Sequence, residues 1–547
     1  MVNLINSDIM FNGYILNGSE ICSKFGFSTE LDGGSLLLSI YNKFGVNGFS
    51  HIKGAFVAML KVSGRRILIR DPMGLQWIYY WTKNPSICGT SVRELLNKGI
   101  PRKLSAEGLW SCMLGGCVQE PFTMIEDVRS LPPGCVLVVE PDGAQKIERY
   151  WQPSFEIASW NSQAEVEDAV TAKLEASVSL LRGKNEIPAA FLSGGIDSST
   201  NVALLRRGYS GRIRTFCVVH EDPRTDERKW AKMVAEQNET EHTELFLSDA
   251  MMREGIGKAL EAYDQPSLDG LNVYFASKFV AEAGVHKVYS GEGADELFMG
   301  YWQFAKQQQA YKWTKKFKCI PEIFGKLLSI NGSSERLRKF AQMFGCRYDP
   351  YFLTRRQFSP SWISKLVVDS PKMNLFDLYN KQMNAVGTAN VDFNGDLLNR
   401  ISWLETRHNN NSMFMRDGFQ LGGAVGVEGL YPMMDIELVN LLFTIPSKYK
   451  CDNSIPKPLL VKAAGEGLPD AVVRRPKQGF AIPIDKLCRE GLKEELDWFV
   501  SAGGIGLFDK KEVGKVWHRY LVGEVSWMRI WHLFVIDSWC RINKVSI

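Results

Sequence analysis

Short apolar runs separated by turns rich in glycine and proline dominate residues 1–155. The clearest runs cover residues 54–60, 66–69 and 135–139, and turn signals such as Pro132-Pro133-Gly134 separate them. Runs of this length and composition, bounded by such turns, are typical of β-strands. The pattern predicts a helix-poor, β-rich first domain over residues 1–155.

The apolar pattern changes after Trp151-Gln152-Pro153, where Val166, Val170, Leu174 and Val178 recur at helical spacing. Further along, strand-like and helical segments alternate, with strands expected at residues 187–192, 213–219, 244–247 and 285–289. Such alternation predicts a doubly wound parallel sheet with helices on both faces. From about residue 300 the pattern is mainly helical and ends in a Trp-rich helix over 527–539. We assign residues 156–547 to this second, α/β domain with a helical extension.

Composition narrows the class of protein. The chain has 547 residues, too many for a single hydrophobic core, and its 45% apolar and 23% charged residues are typical of globular proteins. The net charge of +4 gives little support for a polyanionic partner. Aromatic residues and lysines interleave at residues 311–318, which we interpret as one amphipathic helix, so no nucleic-acid partner is expected.

The eleven cysteines include no CxxC pair, so a zinc site or a disulfide framework is not expected. The first residues lack the pattern of a secretory signal, and no run of about 18 apolar residues occurs. We expect a cytoplasmic protein without a membrane segment. A homodimer is among the assemblies that the sequence allows.

The strongest chemical signal covers residues 191–199, Phe-Leu-Ser-Gly-Gly-Ile-Asp-Ser-Ser, directly after a predicted strand. Glycines let the backbone approach an anion, and the amides at a helix N-terminus bind phosphate oxygens. The hydroxyls of Ser193, Ser198 and Ser199 can donate as well, while Asp197 next to a phosphate suggests a bridging Mg²⁺. A capped helix after a tight turn is the alternative interpretation of the same residues.

A second signal, residues 289–298, reads Tyr-Ser-Gly-Glu-Gly-Ala-Asp-Glu-Leu-Phe and again follows a predicted strand. Parallel strands end at one edge of the sheet, so both loops are expected to face the same crevice. Asp295 can supply a second carboxylate to the magnesium, and Glu292, between two glycines, could serve as a base. Acidic residues that complement a helix dipole are the alternative.

Through these two loops and further motifs, the sequence resembles asparagine synthetases, within the nucleotide α-hydrolases that share a pyrophosphate-binding loop. The resemblance extends from about residue 11 to residue 543. Further motifs that carry it are Asp71-Pro72-Met73-Gly74, Leu131-Pro132-Pro133-Gly134, Arg149-Tyr150-Trp151, Gly426-Val427-Glu428 and Arg475-Pro476-Lys477-Gln478-Gly479-Phe480.

The resemblance implies an N-terminal glutaminase-like sandwich of the Ntn-hydrolase type and a synthetase domain that uses ATP and Mg²⁺. A carboxylate attacks the α-phosphorus of ATP, pyrophosphate leaves, and an amine displaces AMP from the acyl-adenylate. The implied magnesium ligands are Asp197 and Asp295, the general base is Glu292, and the transition-state lysine is Lys477. The residues implied to bind pyrophosphate are Ser193, Gly194, Gly195, Asp197, Ser198 and Ser199. Those implied to surround the nucleotide are Phe191, Val218, Ser290 and Gly291.

The sequence departs from the family in its glutaminase half. Glutamine-dependent members have a nucleophilic cysteine directly after the initiator methionine, where this chain has Val2. In the family segment FNGEIYN, Asn12 and Gly13 are retained, but the glutamate that grips glutamine is Tyr14. Cys22 is internal and lacks the terminal amine. We therefore expect no glutamine hydrolysis, and ammonia that is free or supplied by a separate protein.

Three functions stay open on the sequence. The first is amidation of aspartate or a related acid with ammonia. The second is amide formation in specialised metabolism, as in β-lactam synthetases and lasso-peptide cyclases, although β-lactam-forming members carry tyrosine where this chain has Glu292. The third is a non-catalytic scaffold, against which the intact Asp197, Asp295 and Lys477 speak. Where the family reads VEARVP, residues 427–432 read Val-Glu-Gly-Leu-Tyr-Pro, so Leu430 replaces arginine and an altered acid pocket is expected.

Overall fold

The computed structural model describes residues 3–6, 8–183, 186–220, 226–317, 319, 348–389, 391, 393–451, 455–476 and 482–547. The first domain contains two antiparallel sheets. The larger has the order β1-β2-β3-β4-β8-β9, with β1 Asn3–Asn6, β2 Ile9–Ile15, β3 Gly54–Val62, β4 Arg65–Arg70, β8 Cys135–Val139 and β9 Gln145–Arg149. The smaller has the order β6-β5-β7, with β5 Tyr79–Trp81, β6 Asn84–Gly89 and β7 Val128–Ser130.

An apolar layer joins these two sheets into a sandwich. Val57, Leu68 and Leu137 of the larger sheet pack with Ile78 and Tyr80 of the smaller. Successive side chains of a strand point to opposite faces, so the other face of the larger sheet needs its own cover. Helices of the first domain cover this other face. The predicted β-rich sandwich is confirmed.

The expectation of a helix-poor first domain is wrong. Helices at Gly18–Phe25 (α1), Gly33–Phe44 (α2), Val92–Asn97 (α3) and Ala106–Gly115 (α4) belong to it. Asp32, Ser91 and Ser105 accept backbone hydrogen bonds at the N-termini of α2, α3 and α4. These capping side chains are the sequence signal for helices that the short apolar runs concealed.

The second domain is built on a five-stranded parallel sheet of order β12-β11-β10-β13-β14. Its strands are β10 Ala189–Phe191, β11 Arg214–Val219, β12 Glu241–Phe246, β13 Lys287–Tyr289 and β14 Glu428–Leu430. The helices along this part of the chain are α5 Gln163–Leu181, α6 Ile196–Gly208, α7 Arg228–Gln237, α8 Asp249–Ala262 and α9 Leu271–Glu282. The chain runs outward from β10 to β12 and then returns to the other side of β10, which makes the β10–β13 junction a topological switch point.

Beyond the sheet the described chain is mainly helical, as predicted. Its α-helices are α10 Ala294–Leu297, α11 Gln303–Phe317, α12 Tyr351–Thr354, α13 Pro360–Leu366, α14 Leu375–Ala385, α15 Leu397–Leu404, α16 Ile436–Thr444, α17 Pro458–Ala464, α18 Asp470–Val473, α19 Ile484–Lys486, α20 Lys493–Ala502, α21 Lys510–Leu521 and α22 Met528–Ile542. Residues Glu405–Met415 and Gly418–Gly422 are π-helical. Among the described helices, none has the length and apolar character that a bilayer crossing requires.

Polar contacts fasten the two domains together. Asp264 accepts hydrogen bonds from the backbone amides of Val92 and Arg93, at 2.9 and 3.0 Å. The guanidinium of Arg407, fully buried, donates to the carbonyl oxygen of Pro72 at 3.0 Å. These contacts hold the N-terminal sandwich against the α/β domain.

Candidate active site

The first loop, between β10 and α6, is a glycine turn that leads into the N-terminus of α6. Gly194 has a φ of +66°, and a Cβ there would lie 2.5 Å from the backbone nitrogen of Ala231, so only glycine fits. The backbone amide of Ser193 donates to Ser198 Oγ, and that of Gly195 donates to Ser193 Oγ, both at 3.2 Å. The serine hydroxyls hold the turn that directs the N-terminus of α6 toward the crevice.

The second loop, between β13 and α10, lies directly against the first. A Cβ on Gly291 would lie 2.8 Å from Asp197 Cβ and 2.9 Å from the backbone nitrogen of Ser198. The amide of Asn201, on α6, donates to the carbonyl oxygen of Ser290 at 2.9 Å and ties the loops together. Both loops therefore meet at the switch point, as their positions after parallel strands predict.

A cavity of about 430 Å³ opens at this junction. The predicted site residues that line it are Phe191, Ser193, Gly195, Asp197, Ser198, Val218, Ser290, Gly291, Glu292 and Asp295. Two others lie behind the wall: Gly194 packs on the backbone of residues 230–231, and Ser199 is fully buried on α6. Lys477 falls outside the described residues.

The two predicted magnesium ligands converge on one cation, the ammonium of Lys457. Lys457 Nζ lies 2.5 Å from Asp197 Oδ2 and 2.6 Å from Asp295 Oδ1, and its side chain is only 4% exposed. Burial alone would lower the pKa of Lys457, but the two carboxylates raise it above its ordinary value. Gly300 leaves room for this lysine, because a Cβ there would lie 2.0 Å from Lys457 Cε.

The carboxylate pair also fits a magnesium ion. Mg²⁺ in nucleotide sites is bound by one or two carboxylates, with phosphate oxygens and water completing the shell. Asp197 and Asp295 point at a common position between the loops. No group of three or more potential metal ligands occurs among the described residues, so the remaining ligands would have to come from phosphate and water.

Glu292 lines the same cavity as this pair and has further carboxyl groups nearby. Burial raises the pKa of Glu292 to about 8, and the neighbouring carboxylates of Glu296, Asp269, Asp295 and Asp197 contribute in the same direction. A carboxyl group with such a pKa can gain and lose a proton near neutral pH, where general acid–base catalysis is most efficient.

Arg475 is a cationic wall residue whose role the sequence did not single out. Its Nη2 lies 2.5 Å from Glu227 Oε1, and its side chain is 6% exposed. The same Nη2 would lie 3.7 Å from a Cβ on Gly195. Its Nη1 is buried and finds no hydrogen-bond partner within the described parts of the chain. A buried donor beside the glycine turn fits a phosphate oxygen.

The sequence motifs did not single out Lys457 and Asn201 either. Lys457 follows Ile455-Pro456, in a segment without a recognisable motif, and has a φ of +52° that is unusual for a lysine. For Asn201 a signal existed, since it is a polar residue in a helix stretch that is buried from Ser198 to Leu205. A buried amide needs a partner, and the neighbouring loop supplies it.

Comparison with known sequences identifies the family of this chain. The profile described as asparagine synthase matches residues 165–541, which is more than half of the chain. The chain belongs to the asparagine synthase family. Family members use ATP as a co-substrate for amide ligation, and this asparagine synthase family protein is a ligase of that general kind.

Individual relatives align with nearly the whole length of this asparagine synthase family chain. Asparagine synthetase (glutamine-hydrolyzing) 1 of Bacillus subtilis is 26% identical, over 98% of this chain and 85% of that protein. A putative asparagine synthetase (glutamine-hydrolyzing) of Mycobacterium tuberculosis is also 26% identical, over 98% of this chain and 84% of that protein. The profile described as glutamine amidotransferase domain matches residues 2–151.

In this asparagine synthase family chain, the retained Asn12 and the replaced position 14 both make structural contacts. Asn12 Nδ2 donates to Gln76 Oε1 at 3.1 Å. Tyr14 lies on β2 opposite Ala55, and burial, with a contribution from Glu428 of the second domain, raises the pKa of its phenol well above the ordinary value. Val2 falls outside the described residues. At position 14 a neutral phenol thus replaces the family's glutamate carboxylate.

Proposed function

We propose that this protein amidates a carboxylic acid through an acyl-adenylate, consuming ATP and releasing AMP and pyrophosphate, with ammonia or an amine as the nucleophile. The observation that carries the proposal is the convergence of Asp197 and Asp295 beside the glycine turn, in a cavity at the switch point of the parallel sheet. Ligands of open α/β sheets bind at this place in the fold.

The first loop is assigned the pyrophosphate part of ATP. The backbone amides around Gly195 and the hydroxyls of Ser193 and Ser198 are the donors on the cavity wall, and Arg475 adds a cation beside them. Phe191 and Val218 line the adjoining wall, over the ends of β10 and β11, where the nucleoside would lie. Gly194 supports the turn from behind.

Asp197 and Asp295 are assigned to Mg²⁺, which would neutralise the charge that develops on the phosphates. In the structure, the ammonium of Lys457 neutralises the negative charge of these two carboxylates. Its ammonium keeps the two loops together and lies where it can pair with a phosphate oxygen once its carboxylates take another cation. Lys477 is assigned to transition-state stabilisation by the resemblance alone.

In the proposed reaction a substrate carboxylate oxygen bonds to the α-phosphorus, and the bond to the pyrophosphate oxygen breaks. The amine then bonds to the acyl carbon, and the bond from that carbon to the AMP oxygen breaks. An ammonium nucleophile must lose protons, and Glu292 is the carboxylate positioned at the cavity to accept one. The mechanism therefore requires Glu292 to be ionised during the second step.

We propose that the nitrogen comes from free ammonia, from an amine, or from a separate ammonia-supplying protein. Val2 cannot form the thioester that a terminal cysteine would form with glutamine. Tyr14 replaces the carboxylate that would bind the glutamine amine. Amide formation in specialised metabolism is the second candidate, and the observation that favours it over aspartate amidation is that residues 429–431 read Gly-Leu-Tyr where the family reads Ala-Arg-Val.

The test is to incubate purified protein with ATP, Mg²⁺ and a panel of carboxylic acids, and to measure AMP and pyrophosphate. Hydroxylamine would trap an acyl-adenylate as a hydroxamate, and ammonium and glutamine would be compared as donors. We expect sustained release of AMP with ammonium but not with glutamine, because the nitrogen donor enters in the second step. Asp197→Asn should abolish release while the circular dichroism spectrum stays unchanged, and Asp142→Asn, at an exposed turn, should behave as wild type. Formation of ADP, or turnover with glutamine, would refute the proposal.

A further inference from the structure

The cavity is also lined by residues of β14, its flanks and the helices beside it, which the nucleotide assignment leaves unused. We call this part the acid pocket and define it by Val273, Phe414, Gly418, Val427, Gly429 and Tyr431. The nucleotide side, by contrast, lies over β10 and β11. Because Glu292 lines the same cavity as both sets of residues, the body of the carboxylic acid would lie in the acid pocket.

The strand register decides which residues shape this pocket. Along β14 and its flanks, Val427, Gly429 and Tyr431 line the cavity, whereas Leu430 is 5% exposed and packs in the core. Side chains alternate across a strand, so Leu430 points away from the acid. The loss of arginine at position 430 therefore does not itself empty the pocket; the changed residues that face the acid are Gly429 and Tyr431.

Gly429 and Tyr431 form a matched pair. A Cβ on Gly429 would lie 2.2 Å from Tyr431 Oη and 2.4 Å from Tyr431 Cζ. A Cβ on Gly418 would lie 2.3 Å from the same hydroxyl oxygen. The hydroxyl end of the phenol ring thus occupies the space beside two glycines, Gly429 and Gly418. Alanine and valine, as in the family segment VEARVP, would remove both the space and the ring.

The pocket contains no positive charge among the described residues. The cations on the cavity wall are Lys457, which pairs with Asp197 and Asp295, and Arg475, which pairs with Glu227. Glu292, Asp295 and Glu296 border the cavity with carboxyl groups instead. In the acid pocket, a second carboxylate on the substrate would lose its water and find no counter-ion among the described residues, which is strongly unfavourable.

We infer that the acid substrate is a monocarboxylic acid with an apolar body, which packs against the Tyr431 ring, Val427, Phe414 and Val273, and that it is not aspartate. This inference rests on the proposed function, since it assumes that the cavity adenylylates an acid. Binding an apolar body against apolar walls is favourable because it removes apolar surface from water. The Tyr431–Gly429 pair makes the pocket shallow over β14 and sets the shape of the acid that fits.

The test is ATP–pyrophosphate exchange with purified full-length protein and Mg²⁺. Aspartate and glutamate would be compared with 4-methylpentanoate and 3-phenylpropanoate. We expect the apolar acids to be at least about tenfold better in kcat/KM, the size of effect that a change in pocket contacts produces. If aspartate or glutamate is as good, the inference fails and the ligase proposal stands. If no acid of either class supports exchange, both fail.

Substitutions test the matched pair independently of the panel. Gly429→Ala should lower exchange at least about tenfold, because the new methyl group clashes with the phenol. Gly429→Ala combined with Tyr431→Val should restore exchange and shift the preference toward bulkier apolar acids. Gly423→Ala is the control for adding a methyl group near β14, because a Cβ there would meet nothing within 4 Å. Unchanged exchange in Gly429→Ala, or a double variant no better than the single one, would contradict the role of the pair.

Discussion

The ammonium of Lys457 lies 2.6 Å from the carboxylate of Asp295, and the same ammonium pairs with Asp197 on the neighbouring loop. One side chain from a distant part of the sequence thus joins the two loops that the motifs define. Its position just before α17 brings it over the switch point of the sheet. The carboxylates expected to hold magnesium are therefore already gathered around a positive charge.

Lys457→Met should make the stability of the protein depend on magnesium. Removing one member of a buried ion pair costs about 3–5 kcal/mol, because the remaining charges lose their compensation. The thermal midpoint of the variant without metal should fall, and Mg²⁺ should raise it by more than it raises that of the wild type. Differential scanning fluorimetry with and without Mg²⁺ measures both values.

Lys462→Met is the matched control, because Lys462 lies on α17 but is 60% exposed and pairs at 3.7 Å with Glu167. Exposed pairs contribute about 0–1 kcal/mol, so this variant should follow the wild type with and without metal. An equal magnesium response in Lys457→Met and the wild type would show that the carboxylates do not take the metal.

Gly291→Ala should separate the two loops. The new methyl group would lie within 3 Å of the backbone of Asp197 and Ser198, atoms that cannot move without shifting α6. We expect pyrophosphate release to fall by at least about a hundredfold, as a 1 Å displacement of catalytic groups can cost. Gly257→Ala, on α8 and with nothing within 4 Å, should keep the activity and the stability of the wild type. Steady-state rates of pyrophosphate release, measured for both variants, test this prediction.

Glu292→Gln should change stability in a way that depends on pH. The pKa of Glu292 is raised from 4.5 to about 8 in the folded protein, so folding favours the protonated form. Its ionisation lowers the free energy of unfolding as the pH rises from 4.5 to 8. Glutamine avoids this cost. The thermal midpoint of the variant should exceed that of the wild type by about 2 °C or more at pH 8 and match it at pH 4.5.

The same variant should lose amide formation, by about a factor of 10² to 10⁴, because a general base is missing. ATP–pyrophosphate exchange, which does not need that base, should persist. In the wild type, the rate of amide formation should rise with pH up to about 8, as the carboxyl group of Glu292 ionises. A flat pH profile, or equal losses of exchange and amide formation, would assign Glu292 a different role.

The sequence could locate the candidate site because its signals are local. Glycines and acids follow directly after buried strands at residues 191–199 and 289–298, and parallel strands end at one edge. The sequence alone therefore predicts that Asp197, Glu292 and Asp295 lie together. The sheet itself followed from the alternation of short apolar strands with helices.

What the sequence could not give depends on distant contacts. Lys457 has no motif around it, and its role exists only because the fold brings it to Asp197 and Asp295. Tyr431 required the register of β14, since a shift of one residue would have turned Leu430 into the cavity instead. Helices α1 to α4 were hidden because their short apolar segments were interpreted as part of the strand pattern.

The central claim is that the crevice between the two loops adenylylates a carboxylate, and isotope transfer tests it most directly. The acid with the highest exchange rate would be labelled with ¹⁸O in its carboxyl group and incubated with ATP, Mg²⁺ and ammonium. Attack of the carboxylate on the α-phosphorus predicts one ¹⁸O atom in the AMP that is released. Label in inorganic phosphate with formation of ADP, or AMP without label, would contradict the account.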